Sequence, residues 1–495
     1  MPKPMRWAIV VIWLGLAAVF VWREARQAGA PGDLDAAAAA IAGGDADQEW
    51  YGLYVEQPGG RRDKIGYAAV EREQTSTGFV TRSSTYMKMA VQGAERIVRT
   101  ESKALTGFDH RLKYIDFSLR SDALKFKVIG TMRGKNLELE IQTAGDTRRQ
   151  PMQVPEPPLM PDTLVELLAS RGGLRVGATA DLPFFDPATF RYDRAHVRVT
   201  KRIEHTTPDG KKIVAYRVQT ELAGATAEEI VDEAGRTIEQ KLAGIVMVRE
   251  PYQTALTEGW RSLPADLPEL ARVKVDRPIP KPRDLKYLKV RMVGVDLSDL
   301  PIGDERQTFA DNVLTVTVPP PLSRGGFRLP YTGLDAALKN LLKPTPLLEV
   351  DDPMIQAKAH EIVPPGADAL SAAWAIYRWV YENLEKKPVI SMTSARDVLL
   401  IRRGDCNEHA SLFAALARAA GLPAEIRVGL VYANGAFYYH AWNGVYIGQW
   451  VSVDATFGQF PADATHLRIV SGGLDRQVDL VRLMGKLSIQ LLEYK

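Results

Sequence analysis

Residues 402–425 read RRGDCNEHASLFAALARAAGLPAE and hold the single cysteine of a 495-residue chain, Cys406. A thiol acts as a nucleophile through its thiolate, so the setting of Cys406 decides what it can do. Asp405 and Glu408 stand three apart, a capping-box spacing with Asp in place of Ser or Thr. Phe413, Leu416, Ala417 and Ala420 then follow a helical stripe, and Gly421 with Pro423 marks its end. Gly404 supplies backbone freedom for the turn into the helix. Cys406 therefore falls in a first helical turn, where free N–H groups and the helix dipole favour an anion. Its pKa is expected below the ordinary value of about 8.5. The competing reading is a small core thiol. Against it, the packed stripe begins beyond Cys406.

A nucleophilic thiol needs a base and a group to orient that base. The stretch AFYYHAWNGVYIGQWVSVDATFG (436–458) contains two strand-like runs joined by a turn around Ile447, Gly448 and Gln449. His440 lies in the first run and Asp454 near the end of the second. In neighbouring antiparallel strands, side chains at that separation can sit together on one face. The residues then fit a Cys-His-Asp triad, in which Cys406 attacks, His440 takes and returns a proton, and Asp454 fixes the imidazole. His409, three residues past Cys406, is placed either to touch the thiol or to make a helix-face hydrogen bond. Arg402 and Arg403 fit a solvated loop. A metal site from Cys406, His409, His440 and Asp454 would compete for the same groups, but the triad accounts better for His440 and Asp454.

GDCNEHASLFAALARAAGLPAEIRVG, HAWNGVYI and WVSVDATFG, in this order and spacing, closely resemble the transglutaminase-like superfamily, in its bacterial branch related to papain-type thiol enzymes. The resemblance covers about residues 350–470. It implies Cys406 as nucleophile, His440 as base and Asp454 as third member, on a fold with a Cys-bearing helix packed against an antiparallel sheet. It implies no cofactor and no metal. The reaction implied is thiol acyl transfer on a peptide or protein carboxamide through a thioester. Water as acceptor makes a peptidase or amidase, and a lysine amine makes a crosslinking transferase. One oxyanion donor is expected from the Cys406 N–H and a second from ISMTSARDVLLIRRGD (390–405). The alternative is a non-catalytic envelope binding or assembly scaffold that retains a relic triad.

The remaining chain has to carry and position this domain. With 46% apolar and 25% charged residues and nine tryptophans, the chain can bury sizeable cores. The formal net charge of +3 is spread over scattered Lys and Arg, which leaves no nucleic-acid footprint. One cysteine excludes an internal disulfide framework. Trp7 to Trp22 is an uncharged run between Arg6 and Arg23, with Trp at both ends. It reads as an uncleaved single-pass anchor (residues 1–26) in the inner membrane, with the body in the periplasm among possible envelope proteins. Residues 27–48 are an Ala/Gly-rich stalk. Alternating segments such as LELEIQT, HVRVTKRI, AYRVQTEL and KLAGIVMVRE place a large, mostly antiparallel β domain at 49–274. Within it only DTLVELLAS (162–170) is helical, and its His and acidic residues belong on solvated strand faces. VDRPIPKPRD (275–284) reads as a Pro-rich linker, followed by a small β-rich unit at 286–345 and the last domain at 350–495. In that domain Leu370, Ala373, Ile376, Trp379 and Val380 form the stripe of an ordinary core helix. The fold class is α+β: a membrane anchor helix, a large antiparallel β domain and a C-terminal papain-like, transglutaminase-like α+β domain.

Overall fold

The computed structural model describes residues 47–495 except 57–59, 92–93, 122–124, 144–146, 208–209, 223–224, 243, 258–259, 261–271, 321–323, 388–393 and 484–485. The anchor expected at Trp7–Trp22 and nearly all of the 27–48 stalk lie outside the described residues. Among the described residues no helix is long and apolar enough to cross a membrane. The chain forms two compact units, one reaching to Ala265 and the other running from Asp266 to Lys495.

In the first unit, strands β1 (Asp47–Glu56) through β14 (Ile245–Glu250) make one antiparallel sheet of 14 strands. Hairpins step outward from a central β1–β14 pair, to β8 (Thr147–Gln153) on one side and β9 (Thr179–Asp186) on the other. The alternation is as the sequence requires. Leu137, Leu139 and Ile141 of LELEIQ are buried, whereas Glu138 between them is exposed. KLAGIVMVRE is split into two strands by a turn in which Gly244 takes φ +82°, a backbone setting that favours glycine. Helix α1 (Leu164–Ser170) inserts Leu164, Val165 and Leu167 into a core with Phe184, Val197, Val199 and Val231. Solvated faces do not account for every acid here. Glu49 is buried and accepts from Tyr51 (3.0 Å), Arg72 (2.7 Å) and Arg249 (2.8 Å). Arg72 also holds Glu166 at 2.6 Å, and burial pushes that carboxyl up to about 7.

The second unit is built on a sheet of nine strands. In chain order they are β15 (Arg272–Val275), β16 (Tyr287–Val293), β17 (Gln307–Ala310), β18 (Val313–Thr317), β21 (Ala424–Ala433), β22 (Ala436–Tyr446), β23 (Trp450–Val453), β24 (Leu467–Ser471) and β25 (Ser488–Tyr494). A separate two-residue parallel pair, β19 (Glu385–Lys386) and β20 (Arg403–Gly404), lies just before the cysteine. The nine run β17-β18-β16-β25-β15-β22-β21-β24, with β23 on β22. β15 is the joint, parallel to β25 and antiparallel to β22. This corrects three boundaries. β15 belongs to the second unit's sheet, so the first domain does not reach 274. Residues 275–284 are not a free linker: Asp276 N–H donates to Ile489 O (3.1 Å), and Ile279 N–H donates to the Tyr432 hydroxyl (2.9 Å). The 286–345 segment is not a separate unit, because β16 pairs with β25 along its length. In each case a local composition signal yields to pairing between strands far apart in sequence.

Helices α2 (Pro353–Ile362), α3 (Ala369–Asn383) and α4 (Ala395–Ile401) surround α5 (Cys406–Ala419), whose other side rests on β21 and β22. α5 is central, and Ala410 and residues 412–418 are all buried. On α3 Ala373, Ile376 and Val380 are buried as expected, but Leu370 and Trp379 are half-buried. Trp379 instead lies beneath the cations of Lys358 and Arg402.

A fragment starting at residue 350 loses β15 to β18 and leaves β25 without either of its strand partners. Such a fragment should fail to show a cooperative thermal transition by circular dichroism, while one starting at Arg272 should show one. Cooperative unfolding of the shorter fragment would contradict the shared sheet.

Candidate active site

The start of α5 is fixed by the reciprocal cap the sequence encodes. Asp405 accepts from the Asn407 N–H (3.1 Å), and Glu408 Oε2 accepts from the Asp405 N–H (2.9 Å), completing a capping box. Gly404 is needed for room rather than for an unusual φ, since a Cβ there would meet Glu408 Cβ at 2.2 Å. Asn443 of β22 ties helix to sheet, donating to Ala410 O at 2.9 Å and Glu425 O at 3.3 Å.

Cys406 occupies the first turn, but it is buried, at 1% exposure. Burial and the neighbouring Asp405, Glu408 and Asp454 carboxylates push the thiol up, and only a backbone hydrogen bond from Ala441 favours the anion. The expected lowering of the thiol pKa is therefore reversed in the resting protein. Burial is the largest cause, and it arises where β22 crosses over that turn, a tertiary contact invisible in the local pattern.

That crossing places His440, the residue before Ala441, beside the thiol's helix. β22 pairs with β23 from Asn443↔Val453 to Tyr446↔Trp450, around the predicted turn at Gly448, and Asp454 follows β23 directly. His440 Nε2 and Asp454 Oδ2 are 2.8 Å apart, both fully buried. A carboxylate only accepts, so the network assigns the proton to His440 Nε2 and leaves Nδ1 with the lone pair. That Nδ1 is buried and has no hydrogen-bond partner among the described residues. The ring is stacked on Phe457, 4.7 Å between centroids. Burial lowers the His440 pKa, while the two imidazoles beside Asp454 hold that carboxyl well below its usual range.

Asp454 Oδ1 accepts from the Thr456 and Phe457 N–H groups, at 2.7 and 2.9 Å. Its Oδ2 takes a second imidazole that the sequence reading missed: His466 Nε2 lies 3.0 Å away. His466 Nδ1 faces Asp463 Oδ1 at 3.3 Å, and Asp463 in turn holds Arg283 at 3.0 Å. The available signal was DATH (463–466), an acid three residues before a histidine and close to a strand. His440, Asp454 and His466 have the ligand types for a metal ion, but hydrogen bonds to one shared oxygen account for all three side chains.

His409 does not take part in this chain of bonds. Its Nδ1 lies 2.7 Å from Asp405 O, the helix-face bond, and burial lowers its pKa to about 4. Lys386 brings a cation to the same end of the helix. It pairs in register with Gly404 and sits 3.8 Å over the Tyr381 ring, and that ring packs against Gly458 beyond Asp454. Part of the segment expected to give the second oxyanion donor, 390–393, lies outside the described residues.

No curated protein matches the chain. Among solved structures, a candidate cysteine protease from Cytophaga hutchinsonii is 20% identical, covering 43% of this chain and 86% of that one, with a TM-score of 0.28. A β-barrel-like protein of a domain of unknown function from Brucella abortus is 12% identical over 41% of this chain and 95% of its own, with a TM-score of 0.33. A candidate protease from Parabacteroides distasonis is 13% identical over 68% of this chain and 64% of its own, with a TM-score of 0.20. At such scores the assignment rests on the family model, which matches residues 356–455 and so takes in α5, β22 and Asp454. This chain carries, at residues 356–455, a domain of the transglutaminase-like superfamily.

Proposed function

We propose that this chain is a thiol acyl-transfer enzyme acting on peptide or protein carboxamides, tethered to the inner membrane by residues 7–22 with its body in the periplasm. The observation that carries the reading is the 2.8 Å His440–Asp454 bond, which leaves an Nδ1 lone pair with no partner among the described residues beside the helix that bears Cys406. In the first step the Cys406 proton passes to His440 Nδ1 as sulfur attacks the carboxamide carbon. The carbonyl oxygen becomes an oxyanion facing the N–H groups of the α5 start. His440 then protonates the departing amine or ammonia, leaving a thioester on Cys406. Water or an acceptor amine gives a proton to His440 and attacks the thioester. Collapse of that adduct expels sulfur, which recovers its proton from His440. Asp454 keeps its proton-free form throughout and holds the imidazole.

The test is ammonia release, peptide cleavage or incorporation of a fluorescent amine with glutamine-containing peptides and the full-length chain. Cys406→Ala should abolish turnover, and His440→Ala should lower it by about three orders of magnitude or more. Cys406→Ala should leave the unfolding temperature within a few degrees of the parent, whereas His440→Ala, which takes a donor from buried Asp454, should lower it while the variant still folds. Persisting turnover in Cys406→Ala would sink the thiol mechanism. Loss of fold without any detectable turnover in the parent would favour a scaffold.

The resting thiol offers a second check. Because its pKa is raised, less thiolate is present at any given pH. Iodoacetamide alkylation of this single-cysteine chain should therefore show a midpoint above the free-thiol value of about 8.5. A midpoint near 7 would mean a preformed thiolate–imidazolium pair.

A further inference from the structure

We infer that His466 is a positioning residue: lodged as an imidazolium between Asp454 and Asp463, it clamps the triad carboxylate and keeps His440 neutral in the resting site. The inference rests on the triad reading above. Its geometry is independent of any substrate.

Asp454 Oδ2 receives two imidazoles, from His440 at 2.8 Å and His466 at 3.0 Å. With the Thr456 and Phe457 N–H groups on Oδ1, the carboxylate has a donor in every direction and no freedom to rotate. The two imidazoles are not equivalent. His440 has an acid on one nitrogen only, whereas His466 faces an acid on each: Asp454 through Nε2 and Asp463, at 3.3 Å, through Nδ1. A neutral imidazole has a single N–H and could satisfy only one of them, whereas an imidazolium satisfies both. Asp463 is itself fixed as an anion by Thr465 N–H (2.7 Å), Gln459 Nε2 (2.9 Å) and Arg283 (3.0 Å). Trp442 packs edge-on against the His466 ring, 5.2 Å between centroids, and the His466 side chain is fully enclosed. Arg306 lies nearby but donates to the carbonyls of Ala462 and Asp463 rather than to a carboxylate.

The charges therefore alternate along one chain: Arg283 positive, Asp463 negative, His466 positive, Asp454 negative, His440 neutral. A lone Asp454 would pull a proton onto His440. Sharing its charge with His466 weakens that pull, which leaves the Nδ1 lone pair free to take the Cys406 proton. The directions of the two shifts agree, since His466 is raised by its acids and His440 is lowered by burial, with His466 adding to the lowering.

The chain has seven histidines, so selective histidine labelling of the full-length protein permits NMR titration of each ring. Neither substrate nor turnover enters the measurement, and its failure is distinct from a failure of the enzyme reading. In the parent protein His466 should titrate above His440. In His466→Gln the His440 midpoint should rise by about one pH unit or more, because a positive neighbour has been removed. Asp463→Asn should act in the same direction by letting His466 deprotonate, with the His466 side chain still present. A residue with only a packing role would lower the unfolding temperature and leave the His440 midpoint in place. An unmoved or lowered His440 midpoint in a folded variant overturns the proposal. So does His466 titrating below His440 in the parent, which needs no variant at all.

Discussion

The arrangement of the second unit turns on one buried charge. Asp454 is fully enclosed, and an unpaired carboxylate in such a place would cost several kcal/mol or give up its charge by taking a proton. It avoids both because four donors converge on it from three directions: β22 with His440, the backbone immediately after β23, and His466 at the mouth of β24. Each of those donors is in turn fixed by something else. β22 is tied to α5 by Asn443, and His466 is tied by Asp463 to Arg283, which precedes β16. Satisfying one carboxylate thus specifies the mutual placement of strands drawn from both halves of the sheet.

This also explains the unusual setting of the thiol. A helix start ordinarily favours a thiolate, but here the same compact packing that encloses Asp454 also encloses Cys406. Enclosure pushes the thiol up and His440 down, so burial disfavours the charged form of each. In the proposed reaction, charge is created only as the sulfur attacks a carboxamide carbon, and the unreacted site stores no reactive anion.

Local chemistry was legible in the sequence and long-range packing was not. The cap at Asp405 and Glu408, the end of α5 at Gly421 and the strand pair around Gly448 are written in a few adjacent residues, and each is where the pattern puts it. Those elements bring His440 to Asp454. The burial of Cys406 depends on where β22 passes, and no residue near position 406 encodes that. His466 escaped notice because its approach to Asp454 requires the whole turn from 455 to 465 to fold back. The Pro-rich run at 275–284 has a linker's composition, yet its backbone N–H groups bond to β25 and to Tyr432. In the first unit, Glu49 has the look of a surface acid and is instead the hub of a buried ion cluster, because its partners Arg72 and Arg249 arrive from other strands.

The joint at β15 has a kinetic meaning. Four residues close to the start of the unit join a strand pairing at Phe437 and Tyr438 to another at Ser488 and Ile489. Contacts between the 276–277 turn and Leu491 span 215 and 214 residues. Closing loops of that length before any reward arrives makes for slow assembly. Until β15 is captured, β22 lacks one of its neighbours. In the unfolded chain Cys406 is an ordinary thiol, open to oxidation and to stray electrophiles, and its enclosure in the native protein is also what ends that vulnerability.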